Sequence, residues 1–116
     1  MAKENIIIDK TFEFLLRIIE LYKYLTIEKK EYILSKQLLK SATSIGANVE
    51  EATAAQSRKD FLSKMSIASK EARETTYWLR LLIKSDYITD DGILNNSIEI
   101  KKIITSIVKT TSAQKD

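Results

Sequence analysis

The chain has 116 residues, of which 44% are hydrophobic and 30% are charged, and its formal net charge is +3. This is the balance of one folded domain, and it disfavours both a disordered chain and a membrane protein. Because the sequence contains no Cys and no His, it excludes thiol nucleophiles, imidazole acid–base chemistry and Cys/His zinc sites.

The near absence of turn-forming residues predicts an all-α fold. The sequence has no Pro and only two Gly, whereas sandwiches and barrels need many turns. Hydrophobic periodicity predicts one domain over residues 1–116, an antiparallel up-down four-helix bundle with helices at about 9–29, 31–55, 57–85 and 90–111. We find neither a long uncharged apolar run nor a secretory signal pattern, so we expect a cytoplasmic protein that does not bind membranes.

The predicted first helix has two apolar faces, which lie about 130° apart around the helix. One bundle core does not easily cover both faces. We assign to the core Phe12, Leu15, Leu16, Ile19 and Tyr22. The second face consists of Phe14, Ile18, Leu21 and Leu25. We assign that face to an interface between copies of the chain, together with Ile67 and Leu81 of the third helix.

The other three helices each have one apolar stripe at the spacing of packed helices. In the second helix the stripe is Leu34, Leu38, Ala42, Ile45, Val49 and Ala52. In the third it is Phe61, Met65, Ala68, Ala72, Thr75, Leu79 and Leu82. In the fourth it is Ile93, Ile100, Ile103, Ile104 and Ile107. Ser57 is the predicted N-cap of the third helix, and Asp90 or Asp91 that of the fourth.

Positive charge is concentrated in the predicted third helix. Residues 57–85 contain seven Lys and Arg against three Asp and Glu, whereas the charges before and after this segment nearly cancel. At about 100° per residue, five cations and one Tyr share an arc of about 80° opposite the apolar stripe. They are Lys59, Lys70, Arg73, Tyr77, Arg80 and Lys84. Cations neutralise phosphates and a Tyr ring stacks on an unpaired base, so this face favours RNA or DNA. A solvated face that maintains solubility is the alternative interpretation.

A set of polar and aromatic residues is predicted to join the second and third helices. Its members are Asn48, Glu51, Glu71, Glu74 and Trp78. We expect Asn48 and Glu51 to form hydrogen bonds to the third helix that fix the register of the two helices. Because carboxylates inside four-helix bundles also build metal sites, Mg²⁺-dependent nucleotide hydrolysis is an alternative. Too few of these carboxylates converge, so we predict no catalytic residue, no metal site and no cofactor.

The segment from Ser41 to Leu81 resembles a known bacterial family. Its most specific part is the pattern Ser-Ile-x-Ala-Asn-x-x-Glu, which begins at Ser44 and ends at Glu51. Over nearly the whole chain, the sequence resembles the four-helix-bundle family named for proteins encoded in 23S ribosomal RNA intervening sequences. The resemblance implies short up-down bundles that form homopentamers. The family includes the accessory protein of diversity-generating retroelements, which binds nucleic acid and a reverse transcriptase. Many relatives have Gly where this chain has Ala52 and Thr53, so its second helix is expected to extend further.

These observations predict a non-enzymatic, oligomeric accessory protein that binds RNA or DNA through the third helix. Five copies of a +3 chain would carry +15, which strengthens the attraction of a polyanion. The second hypothesis is an oligomeric scaffold that binds a protein partner, with the basic face used for solubility or steering. The third hypothesis is a Mg²⁺-dependent nucleotide pyrophosphohydrolase.

Overall fold

The computed structural model describes residues 2–114, with side chains described from Ile6 onward. The helices are, in chain order, α1 (Ala2–Ile27), α2 (Leu34–Thr53), α3 (Arg58–Lys84) and α4 (Ile93–Ala113). Within this part of the chain each helix packs against its neighbours in sequence and α1 packs against α4, whereas no Cα atoms of α1 and α3, or of α2 and α4, come within 8 Å of each other. The predicted all-α four-helix bundle is confirmed. The predicted domain over residues 1–116 also includes positions 1, 115 and 116, which lie outside the described residues.

The ends of the helices follow local capping and burial. Ser57 Oγ accepts a hydrogen bond from the backbone N–H of Asp60 at 3.0 Å, so the predicted cap of α3 is confirmed. The first helix begins at Ala2, earlier than the predicted residue 9. Ile7 is fully buried, so the core contains residues of α1 that precede the predicted start of the helix.

A buried carboxylate caps the start of α2, a feature that sequence spacing alone does not reveal. Glu31 Oε2 accepts hydrogen bonds from the backbone N–H groups of Ile33 at 3.1 Å and Leu34 at 2.9 Å. Its Oε1 accepts one from the N–H of Ser35 at 2.7 Å. Burial alone would raise the pKa of Glu31, but these donors outweigh burial and hold the pKa below its ordinary value. Glu31 therefore satisfies the first free N–H groups of α2, which begins at Leu34 rather than near residue 31.

Several residues of the two predicted faces of α1 are exchanged. Phe14, Ile18 and Leu25 are at most 4% exposed and belong to the core, so their assignment to an interface between copies was wrong. Phe12 is 60% exposed and Leu16 is 47% exposed, so their assignment to the core was also wrong. The outer face of α1, defined by Phe12 and Leu16, is therefore an apolar surface that the bundle leaves uncovered.

Position within the bundle, rather than periodicity, decides which face of α1 is inside. Both faces have three- and four-residue spacing, and both contain large apolar side chains. The inner face also contains Thr11, which is 3% exposed and donates its hydroxyl proton to the carbonyl oxygen of Ile7 at 2.7 Å. This local hydrogen bond lets a polar residue lie in the core. Leu15 and Leu21 are half-buried and pack against the core, which agrees with the predicted place of Leu15, and Ile19 and Tyr22 are also half-buried.

The predicted stripes of α2, α3 and α4 form the rest of the core. All their members are buried except Leu34, Phe61 and Ile103, which are half-buried and pack against it. Two buried pairs of hydroxyl groups cross between helices. Ser41 Oγ and Thr75 Oγ1 lie 2.8 Å apart between α2 and α3, and Thr76 Oγ1 and Ser97 Oγ lie 2.7 Å apart between α3 and α4. These pairs fix the heights at which α2 and α4 lie against α3.

Candidate nucleic-acid interface

The six residues predicted to bind nucleic acid lie together on the outer side of α3. All of them are exposed; they are Lys59, Lys70, Arg73, Tyr77, Arg80 and Lys84. They share one side because the opposite stripe of α3 is buried in the core. We call this set the α3 basic face. The exposure of all six agrees with the sequence-based grouping, and their binding role stays a prediction.

The cations of the α3 basic face do not form ion pairs with any carboxylate whose side chain is described. Arg73 Nη1 donates instead to the neutral hydroxyl of Ser69 at 3.0 Å. On the side of the bundle formed by α1 and α4, two cations are paired: Lys10 Nζ lies 3.2 Å from Glu99 Oε2, and Arg17 Nη2 lies 3.0 Å from Asp91 Oδ1. An unpaired surface cation keeps its full charge available to an external anion. The α3 basic face therefore attracts anions more strongly than the α1–α4 side does.

Tyr77 gives the α3 basic face an aromatic ring. Its side chain is 51% exposed. The ring packs against Trp78 edge to face, with the ring centroids 5.1 Å apart and the planes at 70°. This contact restricts the Tyr77 ring while half of the side chain remains accessible. A restricted and accessible aromatic ring is suited to stacking on an unpaired base.

A basic groove runs between α3 and α4, close to Arg73. It has a volume of about 750 Å³ and is lined by four cations and three hydroxyl residues without a carboxylate. The cations are Arg73, Lys101, Lys102 and Lys109, and the hydroxyl residues are Thr105, Ser106 and Thr110. We call it the α3–α4 groove. Its lining offers only positive charge and hydroxyl groups, which are the groups that contact phosphate oxygens.

A second, smaller groove continues this basic surface at the start of α3. It has a volume of about 250 Å³ and is lined by Arg58, Lys59, Leu62 and Ser112. Arg58 Nη1 donates hydrogen bonds to the carbonyl oxygens of Thr111 at 2.9 Å and Gln114 at 2.6 Å. Arg58 therefore holds the start of α3 against the end of α4, and Lys59 beside it is exposed.

The net charge of the C-terminal segment as a whole hides the three lysines of α4. Residues 86–116 contain nearly equal numbers of acids and bases. The acids, however, are concentrated before residue 100, and the segment 101–114 contains Lys101, Lys102 and Lys109 without an Asp or Glu. A charge count in windows of one or two helical turns would have identified this basic half of α4.

The predicted polar set between α2 and α3 does not form a connected network. Asn48 Nδ2 donates to the carbonyl oxygen and the hydroxyl of Ser44, on its own helix, at 2.9 and 3.1 Å. Among the described side chains, no hydrogen bond joins Asn48 or Glu51 to Glu71, Glu74 or Trp78. The predicted cross-helix role of Asn48 and Glu51 was therefore wrong. Ser41 and Thr75 make the contact between α2 and α3 instead.

Trp78 is the other member of that set with a distinct environment. Its indole Nε1–H is buried and has no hydrogen-bond partner among the described residues. The ring is half-buried and packs against the core, so Trp78 contributes apolar contact rather than a polar link. Nearby on α3, Ile67 is 40% exposed and Leu81 is half-buried, and their assignment to an interface between copies stays a prediction.

Two further properties concern the possibility of a metal site and of a membrane-spanning helix. Among the described residues, no three carboxylates lie close enough together to hold a metal ion, so Glu51, Glu71 and Glu74 do not converge on a ligand position. None of the helices within residues 2–114 combines the length and the apolar character needed to cross a bilayer.

The fold and the charge distribution place the protein in the class of up-and-down four-helix bundles with one basic side. The model of the 23S rRNA-intervening sequence protein family matches residues 3–109, and the chain belongs to this family. The crystal structure of a protein with unknown function from the S23 ribosomal protein family of Bacteroides thetaiotaomicron is similar, with 55% identity and a TM-score of 0.88. That match covers 92% of this chain and 98% of the other. No curated protein matches the chain, and neither of the two descriptions names an enzymatic activity.

Proposed function

We propose that this chain is a non-enzymatic, oligomeric accessory protein of the cytoplasm that binds RNA or DNA through the α3 basic face. The proposal rests on the exposure of the five cations of this face and on their lack of ion pairs within the described part of the chain. All five are exposed, and none of them is paired with a described carboxylate. A phosphate backbone that approaches this face gains electrostatic attraction without having to displace an internal carboxylate.

Self-association is part of the proposal, because one copy has only a modest net charge of +3. A ring of five copies, as the family resemblance suggests, would carry +15 and present several α3 basic faces to one strand. The outer face of α1 supports such contacts, since Phe12 and Leu16 lie one turn apart and are largely exposed.

The direct test is a fluorescence-anisotropy titration of labelled single-stranded RNA and DNA at about 50 and 200 mM salt. We expect binding that weakens as salt rises. The double variant Arg73→Glu with Arg80→Glu should lose most of the affinity, whereas Arg73→Lys with Arg80→Lys should retain it because the charge is unchanged. Absence of binding at the lower salt concentration, or equal binding by the Glu variant, would refute the proposal.

A matched control is available on α2. Lys36 and Lys40 are exposed and four residues apart, and α2 lies diagonally opposite α4. The double variant Lys36→Glu with Lys40→Glu changes the net charge by the same amount as Arg73→Glu with Arg80→Glu. If both charge-reversed variants lose affinity equally, binding follows total charge rather than the α3 basic face.

A protein-binding scaffold is the second candidate, and the exposed Phe12 and Leu16 favour it. The double variant Phe12→Ser with Leu16→Ser removes this apolar surface without touching α3. A partner that the wild type retains after nuclease digestion and that this variant releases would support the scaffold. Loss of every bound component on digestion would support nucleic-acid binding instead.

A further inference from the structure

The α3–α4 groove extends the candidate site from one helix to two. The α3 basic face is a convex ridge, which a strand can touch only from one side. The α3–α4 groove is concave and places Lys101, Lys102 and Lys109 of α4 beside Arg73 of α3. A strand lying in it can be contacted by cations from both walls. Concave sites lined by one sign of charge concentrate the electric field and attract counter-charges more strongly than flat surfaces do.

Two contacts fix the register of the groove walls. The Thr76–Ser97 hydroxyl pair links the middle of α3 to the first half of α4. The hydrogen bond from Arg58 to the carbonyl oxygen of Thr111 links the start of α3 to the end of α4. The groove lies between these two contacts, so its cations are held on a rigid frame. A preformed arrangement of cations reduces the ordering cost of binding an anion.

We propose that the α3–α4 groove is the track for the phosphodiester backbone of a single strand of nucleic acid, and that the lysines of α4 contact its phosphates. This inference rests on the proposed function and specifies the path of the strand. The lining contains cations and hydroxyl groups without an amide or aromatic side chain. Such a lining contacts phosphates and does not discriminate among bases. Binding in the groove is therefore independent of sequence, and Tyr77, which lies outside it on α3, supplies the contact to a base.

The dimensions favour a short single strand. From Lys59 in the smaller groove to Arg73 the helix advances about 21 Å, at about 1.5 Å per residue. At about 3.4 Å per nucleotide, the axial spacing of one strand in a duplex, this length corresponds to about six nucleotides, and to fewer if the strand is more extended. The affinity of one protomer should therefore rise with oligonucleotide length up to about six nucleotides and then level off.

The test compares three double variants with the wild type in the same anisotropy assay, using single-stranded oligonucleotides of four to twelve nucleotides. The groove variant is Lys102→Glu with Lys109→Glu. The ridge variant is Arg80→Glu with Lys84→Glu, which leaves the groove lining intact. The control is Lys36→Glu with Lys40→Glu on α2. All six side chains are exposed, and thermal melts confirm that each variant is folded.

The groove variant should bind at least about tenfold more weakly than the control, since each lost phosphate contact costs several-fold at moderate salt. The neutral variant Lys102→Gln with Lys109→Gln should show a smaller loss in the same direction. If the groove variant binds as well as the control while the ridge variant binds more weakly, the proposal that the strand lies in the groove is overturned. The α3 basic face would then remain supported as the binding surface. A wild type that binds no oligonucleotide would overturn both.

Two further titrations define the ligand. A blunt duplex of the same length should bind more weakly than the single strand, because its phosphates are held on a wide cylinder that does not enter the groove. Inorganic tripolyphosphate should compete with the oligonucleotide only at a large excess of phosphate. Equal competition at equal phosphate concentration would contradict a strand-binding track and identify a site for free polyphosphate.

Discussion

The hydroxyl oxygens of Thr76 and Ser97 lie 2.7 Å apart in the buried contact between α3 and α4. Thr76 also donates to the carbonyl oxygen of Ala72 at 2.9 Å, which leaves Ser97 as the donor in the pair. This hydrogen bond sets the register in which Arg73 meets the lysines of α4. The geometry of the candidate binding surface therefore depends on a pair of small polar residues inside the bundle.

The double-mutant cycle at this pair should show coupling. Thr76→Val removes the acceptor of the Ser97 hydroxyl and should lower the free energy of unfolding by about 1–3 kcal/mol, because a buried donor loses its partner. Adding Ser97→Ala removes that donor and should recover part of the loss, so the double variant is more stable than the sum of the single effects predicts. Urea denaturation of the four proteins measures the coupling energy, and strict additivity would show that the two hydroxyl groups do not interact.

The orientation of α1 in the bundle predicts that truncating two phenylalanines changes the free energy of unfolding by very different amounts. Phe14→Ala removes a ring that is 4% exposed and should destabilise the bundle by about 3–5 kcal/mol. Phe12→Ala changes a ring that is 60% exposed and should alter the stability of the monomer by no more than about 0.5 kcal/mol. Chemical denaturation at low protein concentration separates the two cases. A larger loss from Phe12→Ala than from Phe14→Ala would restore the original assignment of the faces.

The Glu31 cap predicts a pH-dependent contribution to stability. Because the folded-state pKa of Glu31 lies below its ordinary value, the stabilisation is fully present above the unfolded-state pKa and is lost as pH falls through the folded-state pKa. Glu31→Gln should lower the free energy of unfolding by about 1–2 kcal/mol at neutral pH, as loss of a helix cap does. The difference from the wild type should shrink in acid.

The control for Glu31 is Glu28→Gln, in the same turn. Glu28 is exposed, and its carboxylate takes no part in capping α2, so this change should have little effect on stability at any pH. Denaturation midpoints of the two variants and the wild type at neutral and acidic pH make the comparison. A Glu31→Gln deficit that stayed constant across this range would indicate a loss of packing rather than a loss of charge.

The helices that were predicted well each have one apolar stripe. In α3 the core residues follow a regular repeat and the opposite side is polar, so the pattern identifies which face is inside. In α1 two apolar stripes have equivalent spacing, and the choice between them depends on how α2 and α4 flank the helix. That information lies in the tertiary arrangement of the bundle. The start of α2 was missed for a similar reason, because the Glu31 carboxylate reaches its N–H donors only in the folded turn.

The candidate site was predicted as far as one helix allows. The positions of Lys59 and Arg80 on α3 follow from helical geometry alone. The meeting of Arg73 with Lys101 requires the register of two helices, which sequence spacing does not give. The predicted link from Asn48 to α3 failed for another physical reason. A short amide side chain can satisfy its donor on its own helix, and Asn48 does so with Ser44.

The salt dependence of single-strand binding tests the central claim most directly, because it counts the phosphates that the basic surface neutralises. For the wild type we predict a slope of log Kobs against log salt concentration of about −3. This is the value expected when the four cations that line the groove each contact one phosphate of a single strand. The groove variant Lys102→Glu with Lys109→Glu should show a slope about half as steep. A wild-type slope near zero, or an unchanged slope in that variant, would contradict a phosphate track between α3 and α4.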